Sequence, residues 1–173
     1  MSAKKILVTY ASRAGSTAEV AEAIGRTLGE SGAQVDVRPM QDVEDLAAYR
    51  AVVAGSAIRG GKWLPEAMDF MRAHRAELTR LPCATFMVCI TLAMRNGEKY
   101  REGLRDWMAE ARSLARPVSE GMFAGMLDFS KVPLTFNTLL MRLMVLIGVF
   151  PRGDHRDWAA IRAWAESLVP LLG

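Results

Sequence analysis

The chain has 173 residues, 51% hydrophobic and 24% charged, which fits one globular domain able to bury its own core. The formal net charge is +3. This mild excess points to anionic partners such as phosphate or a membrane surface, and the dispersal of basic among acidic residues argues against nucleic acid. No run of about 20 uncharged apolar residues exists, which excludes a spanning helix. Lys4-Lys5 lead into only five apolar residues, too few for a secretory signal, so the expected location is cytoplasmic.

Residues 4–10 read as a strand buried on both faces. Residues 16–30 carry Val20, Ala21, Ile24 and Leu28 at helical spacing. Ser16 and Glu19 stand at capping-box spacing, and Gly32 suits the helix end. Residues 34–38 alternate as a short, more exposed strand, and Ala51 to Gly55 form a second buried one. Pro65 opens a helix carrying Met68, Met71 and Leu78. Cys83 to Ile90 is the next apolar strand. Residues 97–115 read as one helix with a stripe of Tyr100, Leu104, Trp107, Met108 and Ala111. Val118 to Leu127 holds a fifth strand ending near Met126. Residues 129–153 read as an insertion with an apolar helix, and Trp158 to Leu168 as a terminal amphipathic helix. Five strands alternating with helices imply a single α/β domain over residues 1–173, a parallel sheet with helices on both faces. Ligands of such sheets bind beyond the carboxyl ends of the strands, which directs attention to loops 11–17, 56–64, 91–97 and 127–133.

The first loop, Tyr10-Ala11-Ser12-Arg13-Ala14-Gly15-Ser16-Thr17, joins a strand to a helix. Its backbone N–H groups, the hydroxyls of Ser12, Ser16 and Thr17, and the helix N-terminus form a clamp for one phosphate. The competing reading is an ordinary capped turn. G-x-G-x-x-G is absent, which excludes the dinucleotide fingerprint. Gly55 to Lys62 has one residue too many for a Walker loop, and Trp63 stands where a magnesium-binding Ser or Thr is required. In the second loop small residues let a flat ligand lie against backbone, with Ile58 or Trp63 covering it; Trp63 is alternatively a core anchor. Thr91 to Asn96 offers polar atoms at a ring edge. Cys83 and Cys89, six residues apart on one strand, lie about 20 Å apart and cannot pair with each other; they read as buried structural thiols. His74 and His155 have no ligand-spaced neighbours, so no metal site is expected. No carboxylate or histidine is placed as a catalytic acid or base, and the catalytic residues stay unknown.

The first-loop motif resembles the flavodoxin signature, and the resemblance runs through nearly the whole chain in element order. It is closer to one branch, the menaquinone-dependent protoporphyrinogen oxidases or dehydrogenases. Gly55-Ser56-Ala57-Ile58-Arg59-Gly60-Gly61 is similar to that branch's G-x-x-I-R-x-G loop, Phe123-Ala124-Gly125-Met126-Leu127 to its fifth-strand end, and the segment before Asp157-Trp158 to its insertion. The resemblance implies a three-layer flavodoxin-like fold with strand order 2-1-3-4-5 and non-covalently bound FMN. It implies that Ser12, Arg13, Ala14, Gly15, Ser16 and Thr17 bind the phosphate. Ser56, Ala57, Ile58, Arg59 and Gly60, with Ile90, Thr91, Leu92, Ala93, Met94 and Asn96, would hold the isoalloxazine. Gly125, Met126 and Leu127 would border it. The implied function is an FMN-dependent oxidoreductase passing electrons from an organic substrate such as a porphyrinogen to a quinone or redox-protein acceptor. A flavodoxin-type electron carrier without its own substrate and a flavin-free scaffold are the alternatives. The apolar helix at 134–150 reads as packed within the domain, as a contact with another chain such as a second copy, or as a peripheral membrane contact.

Overall fold

The computed structural model describes residues 4–94, 96–127, 136–150 and 152–173, with the backbone alone for 136–138. Six strands, β1 (Lys5–Ala11), β2 (Val35–Pro39), β3 (Tyr49–Arg59), β4 (Lys62–Trp63), β5 (Cys83–Cys89) and β6 (Ser119–Ala124), form the main sheet. Five of them are parallel in the order β2-β1-β3-β5-β6, while β4 folds back antiparallel on β3. Counting the parallel strands alone, this is the order 2-1-3-4-5. The helices are α1 (Ser16–Glu30), α2 (Pro65–Ala73), α3 (Arg75–Leu78), α4 (Arg101–Leu104), α5 (Ala109–Ala115), α6 (Phe136–Leu146) and α7 (Trp158–Leu168).

The central strands feed two cores because successive side chains point to opposite faces. Ile6, Val8, Ala51, Val53, Ala84 and Phe86 meet α1 and α7 through Val20, Ile24, Leu28, Ile161, Ala165 and Leu168. Leu7, Val52, Ala54, Cys83, Met87 and Cys89 meet α2, α4 and α5 through Met68, Met71, Leu104 and Ala111. Phe86 is fully buried, with the rings of Phe123 and Trp164 6.3 and 6.1 Å away. Burying a side chain of this size stabilises by about 1.5–3 kcal/mol. It also fixes a neighbour: a Cβ on Gly55 would lie 2.1 Å from the Phe86 ring, so only glycine fits there.

α1 ends in a Schellman motif. Gly32, at φ 92°, donates its N–H to the Gly29 carbonyl at 2.9 Å, and Ala33 donates to Leu28 at 3.3 Å. Its start differs from the capping-box expectation. Gly15 is the N-cap, Ser16 is the first helical residue, and the Glu19 carboxylate is engaged by Arg156. Four further boundaries depart from the sequence reading. β3 runs to Arg59, beyond Gly55, because β1 and β5 pair with Ser56 and Ala57, and β4 pairs with Ile58 and Arg59. The helix after Pro65 breaks at His74. Residues 97–115 split into 3-10 and α segments around Gly97 and Gly103; a Cβ on Gly97 would collide with the Leu92 carbonyl at 2.4 Å, and glycine costs about 1 kcal/mol in a helix interior. Tyr100 consequently leaves the buried stripe and is exposed. The fifth parallel strand stops at Ala124, and Met126–Leu127 forms a separate strand β7, antiparallel to β8 (Gly153–Asp154).

That small hairpin brackets the insertion. Loop residues 128–133 and the first two residues of the expected 134–150 helix lie outside the described residues, as do the side chains of 136–138. Within α6 and the turn after it, Leu139, Leu140, Leu143, Leu146 and Ile147 are all exposed, Leu146 at 82%. Among the described residues, nothing in the domain covers this face. Among the described residues no helix is long and apolar enough to cross a membrane.

Candidate functional site

β1, β3 and β5 end side by side: Ala11 pairs with Ser56, and Ala57 with Val88. The turns after them and Gly125 after β6 therefore open at one edge, where the strand order reverses. In the first turn Ser12 Oγ accepts the Gly15 N–H at 3.0 Å. Gly15 takes φ 88°, a left-handed geometry that favours glycine, and a Cβ there would meet nothing within 4 Å. The turn thus faces open space. The first N–H groups of a helix have no intrahelical acceptor, and they sit at the positive end of the 15-residue α1. Thr17, in the same turn, is fully buried with an unpartnered hydroxyl. Leaving such a group unpaired costs about 1–3 kcal/mol. These donors fit a single phosphate. Arg13 reaches away from the turn and pairs with Glu66 in the first turn of α2 at 3.1 Å, across exposed surface.

The second turn is a tight hairpin. Gly60 and Gly61, at φ 59° and 73°, join β3 to β4, with both central residues in the left-handed region, as a type I′ turn requires. A Cβ on Gly61 would lie 3.1 Å from Trp107 Nε1, so the indole supports the turn. Ser56 is fully buried, and its hydroxyl accepts the Leu64 N–H at 3.0 Å, tying β3 to the start of α2. Ala57 and Ile58 are half-buried at the rim, while Arg59 and Gly60 are exposed. Trp63 is 4% exposed within the core on the α2 side, with its Nε1 unpartnered. It is the core anchor; the expectation that it covers a ligand is overturned, because its pairing with Ile58 turns the indole inward.

Ile90–Ala93 form a 3-10 turn, and Ile90, Thr91, Leu92, Ala93 and Met94 are all half-buried. Gly97 donates to the Met94 carbonyl at 2.8 Å, which closes the loop, and exposed Asn96 takes φ 68°. Gly125 donates to the Cys89 carbonyl at 3.1 Å and is itself buried. Met126 and Leu127 follow on β7, half-buried. The sheet edge thus gathers the three loops and residues 125–127.

Residues 12–17, 57–62, 90–94 and 96 contain no carboxylate, histidine or cysteine. These turns can bind and orient a ligand, while redox chemistry there would come from a bound group. Both thiols are buried and unpaired. Burial pushes Cys83 up to about 12, and also raises Cys89 against the N–H groups of Leu92 and Thr91. Among the described residues no three His, Cys, Asp or Glu side chains could hold a metal ion.

Two residues that carry the site escaped sequence reasoning. Trp107 was read as a core position, and its role against Gly61 has no local signal. Arg156 lies 137 residues from its partner Glu19. Its side chain is 4% exposed, binds Asp154 through two nitrogens at 2.7 and 2.6 Å, pairs with Glu19, and lies 4.5 Å above the Trp158 ring centre. It fastens β8 and the start of α7 to the first turn of α1. The Arg156 bonds hold the Asp154 carboxyl below its ordinary range, against burial, which raises it.

A family model described as a flavodoxin domain matches residues 7–148. The protoporphyrinogen IX dehydrogenase [quinone] of Escherichia coli K12 is 32% identical over 175 residues, covering 96% of each chain. The Leishmania major protein of the same name is 26% identical, covering 96% of this chain and 75% of its own. Among solved structures, a short-chain flavodoxin associated with a PDU bacterial microcompartment superposes with a TM-score of 0.63 at 16% identity, over 99% and 100% of the two chains. Oxidised flavodoxin 1 of Bacillus cereus gives 0.62 at 17%, over 98% and 99%. Such a family implies a flavin cofactor, and the phosphate-sized turn fits one. The chain belongs to the flavodoxin-domain family, in the branch that contains the proteins named protoporphyrinogen IX dehydrogenase [quinone].

Proposed function

We infer that the chain is an FMN-dependent oxidoreductase that takes electrons from a porphyrinogen-type substrate and passes them to a quinone. The observation that carries the reading is the turn at 12–17, where the buried, unpartnered Thr17 hydroxyl joins the open N-terminus of α1. A mononucleotide phosphate satisfies these groups. Ser12, Ala14, Gly15, Ser16 and Thr17, with the backbone N–H of Arg13, whose side chain pairs with Glu66, would hold it; residues 56–60, 90–94 and 96 would flank the ring, and residues 125–127 would border it. The bound flavin supplies the redox chemistry; the chain orients it, and Gly125 and the half-buried 90–94 loop keep water from one side.

The enzyme reading, rather than the electron-carrier reading, is supported by the insertion. The Escherichia coli relative matches the chain over almost its full length, insertion included. The outward face of α6 is apolar, and the described residues from 136 to 153 carry arginines but no acid. Arg142, Val145, Leu146 and Arg152 line a cavity of about 570 Å3 on this segment. Such a face suits contact with a lipid surface that dissolves the quinone. Anaerobic mixing of the FMN-loaded protein with protoporphyrinogen IX tests the reading. Bleaching of the flavin, reversed by a menaquinone analogue, is expected. Bleaching only by a partner reductase, with none by the porphyrinogen, would leave the electron-carrier alternative instead.

A further inference from the structure

The β3–β4 hairpin at the rim carries an arrangement that a hairpin ordinarily avoids. Arg59 and Lys62 are directly opposed in register, one residue either side of the Gly60–Gly61 turn. Opposed residues share a face about 5.5 Å apart, and like charges there repel. Both side chains are exposed, on the face opposite the buried Trp63. Neither lies within 4.0 Å of a carboxylate among the described residues. The acid that follows in sequence, Glu66, is taken by Arg13. Asp106, beside the supporting Trp107, makes no ion pair with either. The Gly60–Gly61 turn, which rests on Trp107, keeps the two backbone positions opposed. Because β3 lies between β1 and β5, the hairpin stands at the carboxyl edge between the turn at 12–15 and residues 90–94.

We propose that Arg59 and Lys62 form a clamp for the carboxylates of an organic dianion, holding the substrate's apolar body against the flavin between the hairpin and residues 90–94. This deepens the functional reading above and rests on it for the site's purpose. It assigns the Arg59 side chain to substrate rather than to cofactor. A bound carboxylate pair removes the cross-strand repulsion and gains charge-assisted hydrogen bonds from the guanidinium fork. Two cations on a narrow tip match a small dianion; an acidic protein would need a far wider basic surface.

The test compares binding of mesoporphyrin IX with that of its dimethyl ester, which has the same apolar body without the charges. The full chain is titrated with each, at low and high salt, by porphyrin absorbance. The native chain should prefer the diacid about tenfold, with the preference shrinking in salt. R59Q/K62Q should bind both alike, and R59K/K62R should keep the preference. Equal binding of acid and ester by the native chain, or a preference that survives in R59Q/K62Q, would overturn the clamp. If porphyrins bind indifferently while polyglutamate binds only the native chain, the pair belongs to an acidic protein and the small-anion assignment is wrong. Failure of the enzyme reading has a separate signature, no flavin reduction by protoporphyrinogen, and leaves this binding result standing.

Discussion

At the scale of single residues, Thr17 separates fold from function. Its hydroxyl is buried without a partner in the protein alone. Thr17→Val removes that hydroxyl with almost no change of shape. Without flavin the variant should be as stable as the native chain or more so, since an unsatisfied polar group is lost. FMN binding should weaken by about 10-fold or more, the worth of one hydrogen bond to a charged group. Thermal melting without flavin and an FMN titration read the two effects, and the opposite pattern would make Thr17 a structural residue. Arg156 shows the converse behaviour. Replacing it with Met frees Asp154 and Glu19, which are 40% and 44% exposed and regain water, so a loss of about 2 kcal/mol is expected by urea unfolding. Asp154 adds a sign. Its folded pKa is depressed by Arg156, so its stabilisation is present above the ordinary carboxylate pKa of about 4 and fades as pH falls through the lower folded value. Asp154→Asn should flatten the acid limb of the stability profile; an unchanged limb would assign that limb to other carboxylates.

At the scale of elements, the β3–β4 hairpin depends on two glycines with different surroundings. Gly60 has nothing within 4 Å of a would-be Cβ, whereas Gly61 faces Trp107. Gly60→Ala should cost about 1 kcal/mol from the left-handed backbone alone. Gly61→Ala should cost more, about 2 kcal/mol, because the indole must also move. Gly55→Ala, driven into the Phe86 ring, should be the most damaging of the three, about 3 kcal/mol or above. Equal costs in all three by denaturant unfolding would contradict this account. The same elements show what the sequence reveals. The central strands were legible because a run such as Ile6-Leu7-Val8 is buried on both faces, and α1 was legible from Val20, Ile24 and Leu28. The reach of β3 to Arg59 was not, because Gly55 interrupts the apolar run and the last two residues, Ile58 and Arg59, are paired by β4, a strand of two residues that no pattern marks. The break-up of 97–115 was missed because Leu104, Met108 and Ala111 keep helical spacing while Gly97 answers to a contact with Leu92. In the site, the strand-to-helix turn at 12–17 was legible as a local motif. The inward turn of Trp63, the support from Trp107 and the clasp of Arg156 depend on residues distant in the chain, which no spacing encodes.

At the scale of the whole molecule, the sheet, two helical layers and one exposed apolar helix divide the labour. The carboxyl edge gathers the turns at 12–17, 57–62 and 90–94, and α6 with the turn after it presents Leu139, Leu143, Leu146 and Ile147 outward. Leu143→Glu with Ile147→Glu should leave the melting temperature nearly unchanged, because both side chains are already exposed. It should sharply reduce flotation with anionic liposomes, and equal flotation of both forms would remove the membrane role and leave a protein contact for this face. The central claim is that the turn at 12–17 is the phosphate site of a flavin mononucleotide. Its most direct test is equilibrium titration of the flavin-free protein with FMN and, in parallel, with riboflavin, which lacks the phosphate. The account predicts one FMN per chain, bound non-covalently, and riboflavin bound at least about tenfold more weakly, the worth of charge-assisted hydrogen bonds to the phosphate. No uptake of FMN, or equal affinity for the two, would contradict it.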